Sequence, residues 1–556
     1  MSVGSCAATA APVAVDVGTD PIGYSGRGRR SLAVGTLGIL LLLSGCTKVG
    51  PDFVRPDAPI AEQWTEVGEL QLDATQVDHA DWWKAFDDPA LDRLVDEAYK
   101  QNLTLQIAGL RILEARAQLG IAVGSAWPQQ QQATLGATYN SPSDNTAGSA
   151  FLNSTWNYNT GVGIGWEIDF WGKFRRGVES ADAALLASIA DYDTILVSLT
   201  ADVASVYAVI RTFEERLAIA RENVKIQERS LRIADVRFRN GATTELDVQQ
   251  AKTLLFSTQA TIPALEAGLR QAENALSILL GKPPGEVRQI LGKPGEIPSP
   301  PTQIAVGIPA DLLRRRPDVR GAELQAAAQS ARIGVAKADF YPSVALLGSI
   351  GLSATQSSNT TASGKSGIGE WFTADSLTFT GGPAITWNIF NYGQISNNVR
   401  TQDARLQQLL VNYQNVVLQA AQEVEDSTVG FVRAQEQARF LGESVTAALR
   451  SVDLAVIQYR DGAVDYTRVL NTQQSLVLQQ DQSTVARGDI ARNLISMYRA
   501  LGGGWQLREG NDFVPEPTRA EMAERTNWGD ILTPDDEETA LPPRSTPDDS
   551  YRRPDW

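Results

Sequence analysis

Two periodicities alternate along this chain, and they do so twice. Ile189, Tyr192, Leu196, Leu199, Val203, Val206, Ile210, Phe213 and Leu217 follow one another at spacings of three and four without a break. That is a coiled-coil seam, and it predicts one helix over about 175–239, roughly 95 Å long at 1.5 Å per residue. A second seam runs through Leu441, Val445, Ala448, Val452, Ala455 and Tyr459. Shorter helices are expected to return over about 244–281 and 465–501. Gly241 and Gly462 stand where a glycine C-cap ends each outbound helix.

Ahead of each seam the period becomes two. Val162, Ile164, Trp166, Ile168 and Phe170 alternate with Gly161, Gly163, Gly165, Glu167 and Asp169. Leu135, Ala137 and Tyr139 form a second such series, Val344, Leu346, Ile350 and Leu352 a third, and Phe379, Ile385, Trp387 and Ile389 a fourth. Strands of about ten residues with one apolar and one polar or glycine face suit a transmembrane β-barrel. Polar loops are expected at 141–157 and 354–375. Four strands cannot close a barrel, and open edges in lipid leave backbone N–H and C=O groups without partners. Other copies of the chain must therefore complete the sheet.

The alternation reflects a duplication. Phe238-Arg-Asn-Gly241-Ala recurs as Tyr459-Arg-Asp-Gly462-Ala, Leu280-Gly281 as Leu501-Gly502, and Trp171-Gly172 as Tyr392-Gly393, all at a shift of 221. Leu119 through Pro128 recurs as Ile333 through Pro342 at a shift of 214, so the second half carries seven extra residues between those landmarks. The division that follows places a first repeat over 91–281, a Pro-rich linker over 282–309 and a second repeat over 310–505. Their β-hairpins fall at 128–171 and 342–392.

Composition narrows the chemistry. The 556 residues include one His, His79, and two Cys, Cys6 and Cys46. A disulfide scaffold, a His- or Cys-based metal site and a Ser–His–Asp hydrolase therefore have almost no residues to draw on. The net charge of −16 argues against nucleic acid as a partner. Arg27, Arg29 and Arg30 precede an apolar run from Leu32 to Leu43, too short to span a bilayer, so 1–45 reads as a signal peptide. The following Leu43-Ser44-Gly45-Cys46 resembles the bacterial lipobox, in which the Cys thiol receives a diacylglyceryl group. Residues 46–90 then form a lipidated N-terminal segment, and Thr47 after the Cys implies sorting to the outer membrane. From Gln506 onward thirteen acidic and six basic residues accompany many prolines, which reads as a disordered tail over 506–556.

The duplicated plan of strand pairs and long helices resembles the TolC superfamily of outer-membrane efflux channels. Its lipoprotein branch, the nodulation-type (NodT) outer-membrane factors of resistance–nodulation–division systems, is the more similar. The match rests on Lys48-Val-Gly-Pro-Asp-Phe53, Asp81-Trp-Trp-Lys-Ala-Phe86, Ile308-Pro-Ala-Asp-Leu-Leu-Arg-Arg-Arg-Pro-Asp-Val319 and Ala331 through Pro342. The resemblance implies a mixed α+β membrane protein: a homotrimer with a 12-stranded barrel continued by a periplasmic α-helical barrel, joined by an equatorial belt. It implies a periplasmic adaptor and an inner-membrane pump as partners, and no cofactor beyond the acyl lipid on Cys46. Adaptor docking would use the tips at Gly241, Ala242, Gly462 and Ala463. Asp247 and Tyr459 fall on the family's gate-linking Asp and Tyr, which implies a hydrogen bond between them. The family's paired aperture aspartates fall on Arg468 and Asn471, a departure that removes the expected acidic ring and could let Arg468 pair with Asp247. A periplasmic coiled-coil adaptor lipoprotein is the competing reading, and a membrane-bound lipase a third, although His79 has no G-x-S-x-G partner. The cargo, whether drug, metal ion or oligosaccharide, is left open.

Overall fold

The computed structural model describes residues 48–57, 80–143, 145, 153–299, 315–357 and 367–532. Cys6, Cys46, His79 and the whole of 1–45 lie outside the described residues, as do Ile308–Arg314 of the Arg-Arg-Arg-Pro motif and most of both long polar loops. The described residues form one unit that begins at Lys48.

Duplication is visible in element lengths. Helix α1 (Pro89–Gln101) leads into α2 (Leu103–Gly124), strands β1 (Gln130–Asn140) and β2 (Thr155–Ile168), and helices α3 (Lys173–Arg239) and α4 (Glu245–Leu279). After the short α5 (Val287–Leu291), the order repeats as α6 (Pro317–Ala338), β3 (Ser343–Ser357), β4 (Leu377–Thr386), α7 (Gln394–Arg460) and α8 (Tyr466–Ala500). The paired helices match residue for residue: α2 and α6 have 22 each, α3 and α7 have 67, and α4 and α8 have 35. At 1.5 Å per residue, α3 and α7 are each about 100 Å long. Ile189, Tyr192, Leu196, Leu199, Val203, Ile210 and Leu217 of the first seam are buried, as are Ala448, Val452, Ala455 and Tyr459 of the second.

The four strands form one antiparallel sheet in the order β1-β2-β3-β4, so among the described residues β1 and β4 each keep one edge unpaired. The register aligns Val162 with Ala133 and Ile350, and Ile350 with Phe379, so the apolar positions share one face. That face is not a core: Leu135, Phe379 and Ile385 are 76%, 78% and 71% exposed. The opposite face carries Gly161, Gly163, Asn159, Ser349 and Thr378. Aromatic rings mark both ends of the apolar band, as interfacial girdles do. Tyr139, Trp156 and Tyr158 follow one another at 5.1 and 6.1 Å at the loop end, and Trp171 stacks on Tyr341 at 4.5 Å near the helices.

Some boundaries move. Residues 155–157 and 354–357 belong to strands rather than loops, while Trp387 and Ile389 lie past the end of β4. The aromatic rungs of β2 extend its ladder beyond the apolar band. Trp387 instead turns its indole N–H to the Phe340 carbonyl, 3.0 Å away.

The larger correction concerns the C-terminus. Over 506–532 the chain is folded, with a 3-10 turn at Trp505–Arg508 and helix α9 (Glu516–Arg525). Val514 and Met522 are buried against Leu113 of α2, and Phe513 meets Tyr192 edge-on at 5.1 Å. A charge census over the whole tail hides this, because Phe513, Val514, Met522, Trp528, Ile531 and Leu532 all fall before residue 533. Residues 533–556 lie outside the described residues.

Candidate functional site

The helix turns form by the same local chemistry. Gly241 and Gly462 adopt φ of +70° and +79°. The N–H groups of Ala242 and Ala463 reach back to the carbonyls of Arg237 and Gln458, each at 2.8 Å. These are Schellman ends, which satisfy the last carbonyls of a helix and need a residue free to take positive φ. Both turns are exposed, with Gly241, Ala242, Gly462 and Ala463 at the surface. Glu245 and Asp247 sit in the first turn of α4, where the helix dipole favours negative charge, and the Asp465 side chain caps α8.

Behind the turns lies a small apolar cluster formed by Ala234 of α3, Val248 and Ala251 of α4, Ala455 and Tyr459 of α7, and Tyr466 and Val469 of α8. Tyr459 is buried and Tyr466 packs edge-on against it at 5.3 Å. The Tyr459 hydroxyl donates to Asp247 Oδ2 at 3.0 Å, and the Thr243 hydroxyl donates to the same oxygen. Burial pushes the Tyr459 phenol up to about 12, so it stays a donor at any physiological pH. One carboxylate thus joins the start of α4 to the end of α7. Arg468 and Asn471 are exposed on α8, and neither side chain bonds Asp247. Within one chain the pairing of Arg468 with Asp247 is not made; Thr243 and Tyr459 are the side chains bonded to that carboxylate.

Sequence reasoning missed Arg237. Its guanidinium donates to the carbonyls of Tyr459, Arg460 (3.1 Å) and Ala242 (3.3 Å), and lies 4.7 Å over the Tyr459 ring. The repeat carries no signal for it, since the equivalent residue four before Gly462 is the uncharged Gln458.

At the other end, residues 48–57 cross the joint between sheet and helices as an extended strap. The Val49 N–H donates to the Trp171 carbonyl at 3.0 Å, and Arg55 pairs with Glu323. Arg176, 1% exposed, is the hub. It donates to the carbonyls of Val49 (3.1 Å) and Gly50 (3.2 Å), to Asp52 (2.9 Å) and to Glu179 (3.0 Å). The aromatic residues of the Asp81-Trp-Trp-Lys-Ala-Phe86 motif, Trp82, Trp83 and Phe86, are core, with Trp82 stacked on Tyr498 at 5.3 Å. Arg316 donates to the Ala500 carbonyl at 2.6 Å and to Glu423 at 2.8 Å, tying the second repeat together.

Comparison with known proteins decides the family. The profile described as "Outer membrane efflux protein" matches residues 94–282 and 308–503, which are the two repeats. The chain belongs to the outer membrane efflux protein family. This efflux protein is 33% identical over 470 residues to Nodulation protein T of Rhizobium leguminosarum bv. trifolii, covering 84% of this chain and 96% of that one. It is 30% identical to the "Probable outer membrane lipoprotein SilC" of Salmonella typhimurium, over 84% of this chain and 98% of the relative. The solved outer-membrane channel OprN superposes with a TM-score of 0.76 at 30% identity, over 83% of this chain and 100% of that one. Family and relatives are outer-membrane transport proteins, and the tips, the Asp247–Tyr459 link and Arg237 all fall inside the matched blocks.

Proposed function

We propose that this chain, as a homotrimer held to the outer membrane by an acylated Cys46, is the exit duct of a tripartite efflux system. A periplasmic adaptor and an inner-membrane pump would supply its cargo. The observation that carries this reading is an amphipathic four-stranded sheet with two unpaired edges, continuous with two helical hairpins. An apolar face with unpaired edges is tolerated in a bilayer only when neighbouring copies close the ring. Three copies would close twelve strands and place twelve long helical segments below them. A periplasmic adaptor is the poorer reading, since it needs one hairpin and no such sheet. The tips around Gly241 and Gly462 would take the adaptor, because their exposed, closely approachable backbone suits contact between helix ends.

The Asp247–Tyr459 bond would then help hold the periplasmic end closed. The test is single-channel recording of the purified protein in planar bilayers, with native mass spectrometry for oligomer and N-terminal lipid. A lipid-modified trimer of low conductance is expected, and D247A should raise that conductance. A monomer without conductance would sink the duct reading, and D247A with unchanged conductance would sink the gate role of Asp247.

A further inference from the structure

The surface between the two hairpins of one chain adds polar rungs to apolar packing of the kind that also forms the seams within them. Within the first hairpin Leu217 and Ala220 pack on Leu265, and within the second Ala448 and Val452 pack on Leu476. Between the hairpins, polar side chains on α3 recur every seven residues: Arg216, Asn223, Ser230 and Arg237. A seven-residue repeat keeps one stripe of a supercoiled helix facing the same neighbour.

Each rung has its partner. Arg216 makes a two-pronged bond to Asp481 at 2.7 and 3.1 Å, and the Asn223 amide donates to Gln480 at 2.8 Å. The Gln473 amide donates to the Ser230 hydroxyl at 2.6 Å. The fourth rung, Arg237, reaches past the start of α8 to the carbonyls that end α7, those of Tyr459 and Arg460. The ladder is thus side chain to side chain for three rungs and side chain to main chain at the tip.

We infer that Arg237 is the principal intra-chain pin that holds the second hairpin against the first at the periplasmic end, and that Asp247 is its auxiliary. The inference rests on the duct reading above. Three features support the ranking. Arg237 makes charge-assisted bonds to two carbonyls of the second hairpin, whereas Asp247 accepts from a single hydroxyl of it. Those carbonyls stand at a helix C-terminus, where the last C=O groups lack intrahelical partners and the dipole is negative. The guanidinium also covers the Tyr459 ring, so the same residue that engages the main chain orients the tyrosine that Asp247 binds. The pin is one-sided, because Gln458 occupies the equivalent place in the second hairpin and carries no charge.

That asymmetry supplies the variant. Gln at this helix position is already compatible with a Schellman end in the second repeat, so R237Q should fold. R237Q, R237K and D247A are compared with the parent by single-channel recording, with melting of the solubilised trimer followed alongside. R237Q is expected to raise the open-to-closed ratio by at least about tenfold, since neither carbonyl of the second hairpin keeps its charged donor, and at least as far as D247A does. Its melting point should stay close to that of the parent. R237K keeps the charge without the fork and should fall between R237Q and the parent. Parent-like gating in R237Q while D247A opens the channel would overturn the pin, as would melting of R237Q far below the parent with gating unchanged. Absence of conductance in every protein, the parent included, would instead overturn the duct reading.

Discussion

R176M is expected to detach the strap from the body of the protein and lower its stability by about 1–3 kcal/mol for each strap carbonyl left without its charged donor. Arg176 is 1% exposed, and its guanidinium is the shared donor for two strap carbonyls, Val49 and Gly50, and for Glu179. Methionine fills much of the volume but donates nothing, so both carbonyls lose that donor. Asp52 is largely exposed and adds little. Lysine should not rescue the variant, since one ammonium cannot span four acceptors arranged around a planar fork. G50A should reproduce the loss by an independent route. Gly50 has φ of +99°, and a Cβ there would stand 2.4 Å from Gly334 Cα, a main-chain atom that cannot turn aside. Limited proteolysis of the solubilised protein reads both variants: early cleavage within 48–57, with a lowered melting point, is the expected result. Parent-like resistance in R176M would show that the strap is held without its hub.

How much of this was legible in the sequence follows from what kind of physics wrote it. The seams at Ile189–Leu217 and Leu441–Tyr459 and the alternation around Val162 are one-dimensional signals, because helix and strand geometry convert spacing directly into a buried or exposed face. Gly241 and Gly462 were legible because a turn that needs positive φ leaves few choices of residue. The Asp247–Tyr459 contact came from the family's pattern, and nothing local in either residue marks it. Arg237, Arg176 and Arg508 were not legible, for one shared reason. Each acts across more than 100 residues of sequence on backbone carbonyls or a single carboxylate, and a carbonyl has no letter in the sequence. Composition misled only at the C-terminus. There the average over Gln506–Trp556 masked a short apolar segment with a specific place to dock on Leu113 and Tyr192.

That docked segment hangs on one buried pair, and breaking it from either side should give different pH behaviour. Arg508 donates to both oxygens of Asp193 at 2.5 and 3.2 Å, both residues are nearly inaccessible, and the guanidinium lies between the Trp505 and Phe513 rings at 5.5 and 5.4 Å. Burial pushes the Asp193 carboxyl up to about 6 from its ordinary 3.8, against the pull of Arg508 and of nearby Arg320. A folded value raised above the unfolded one means that the native state favours the protonated acid. This group's contribution is therefore full below pH 3.8 and is lost as pH rises through about 6. R508M removes the strongest opposing influence and lifts the carboxyl further. At pH 8 it should cost about 3–5 kcal/mol, because a carboxylate is left buried without its partner. As pH falls to 5.5, Asp193 takes up a proton and most of that loss should be recovered. D193N leaves the mirror defect, a buried guanidinium that stays charged at every accessible pH, and it lacks the stability the parent gains below pH 6, so its deficit should not narrow between pH 8 and pH 5.5. Melting of the solubilised protein at the two pH values separates the variants: the deficit of R508M narrows while that of D193N does not. Deficits that move in parallel would show that the two charges are not holding the segment against each other.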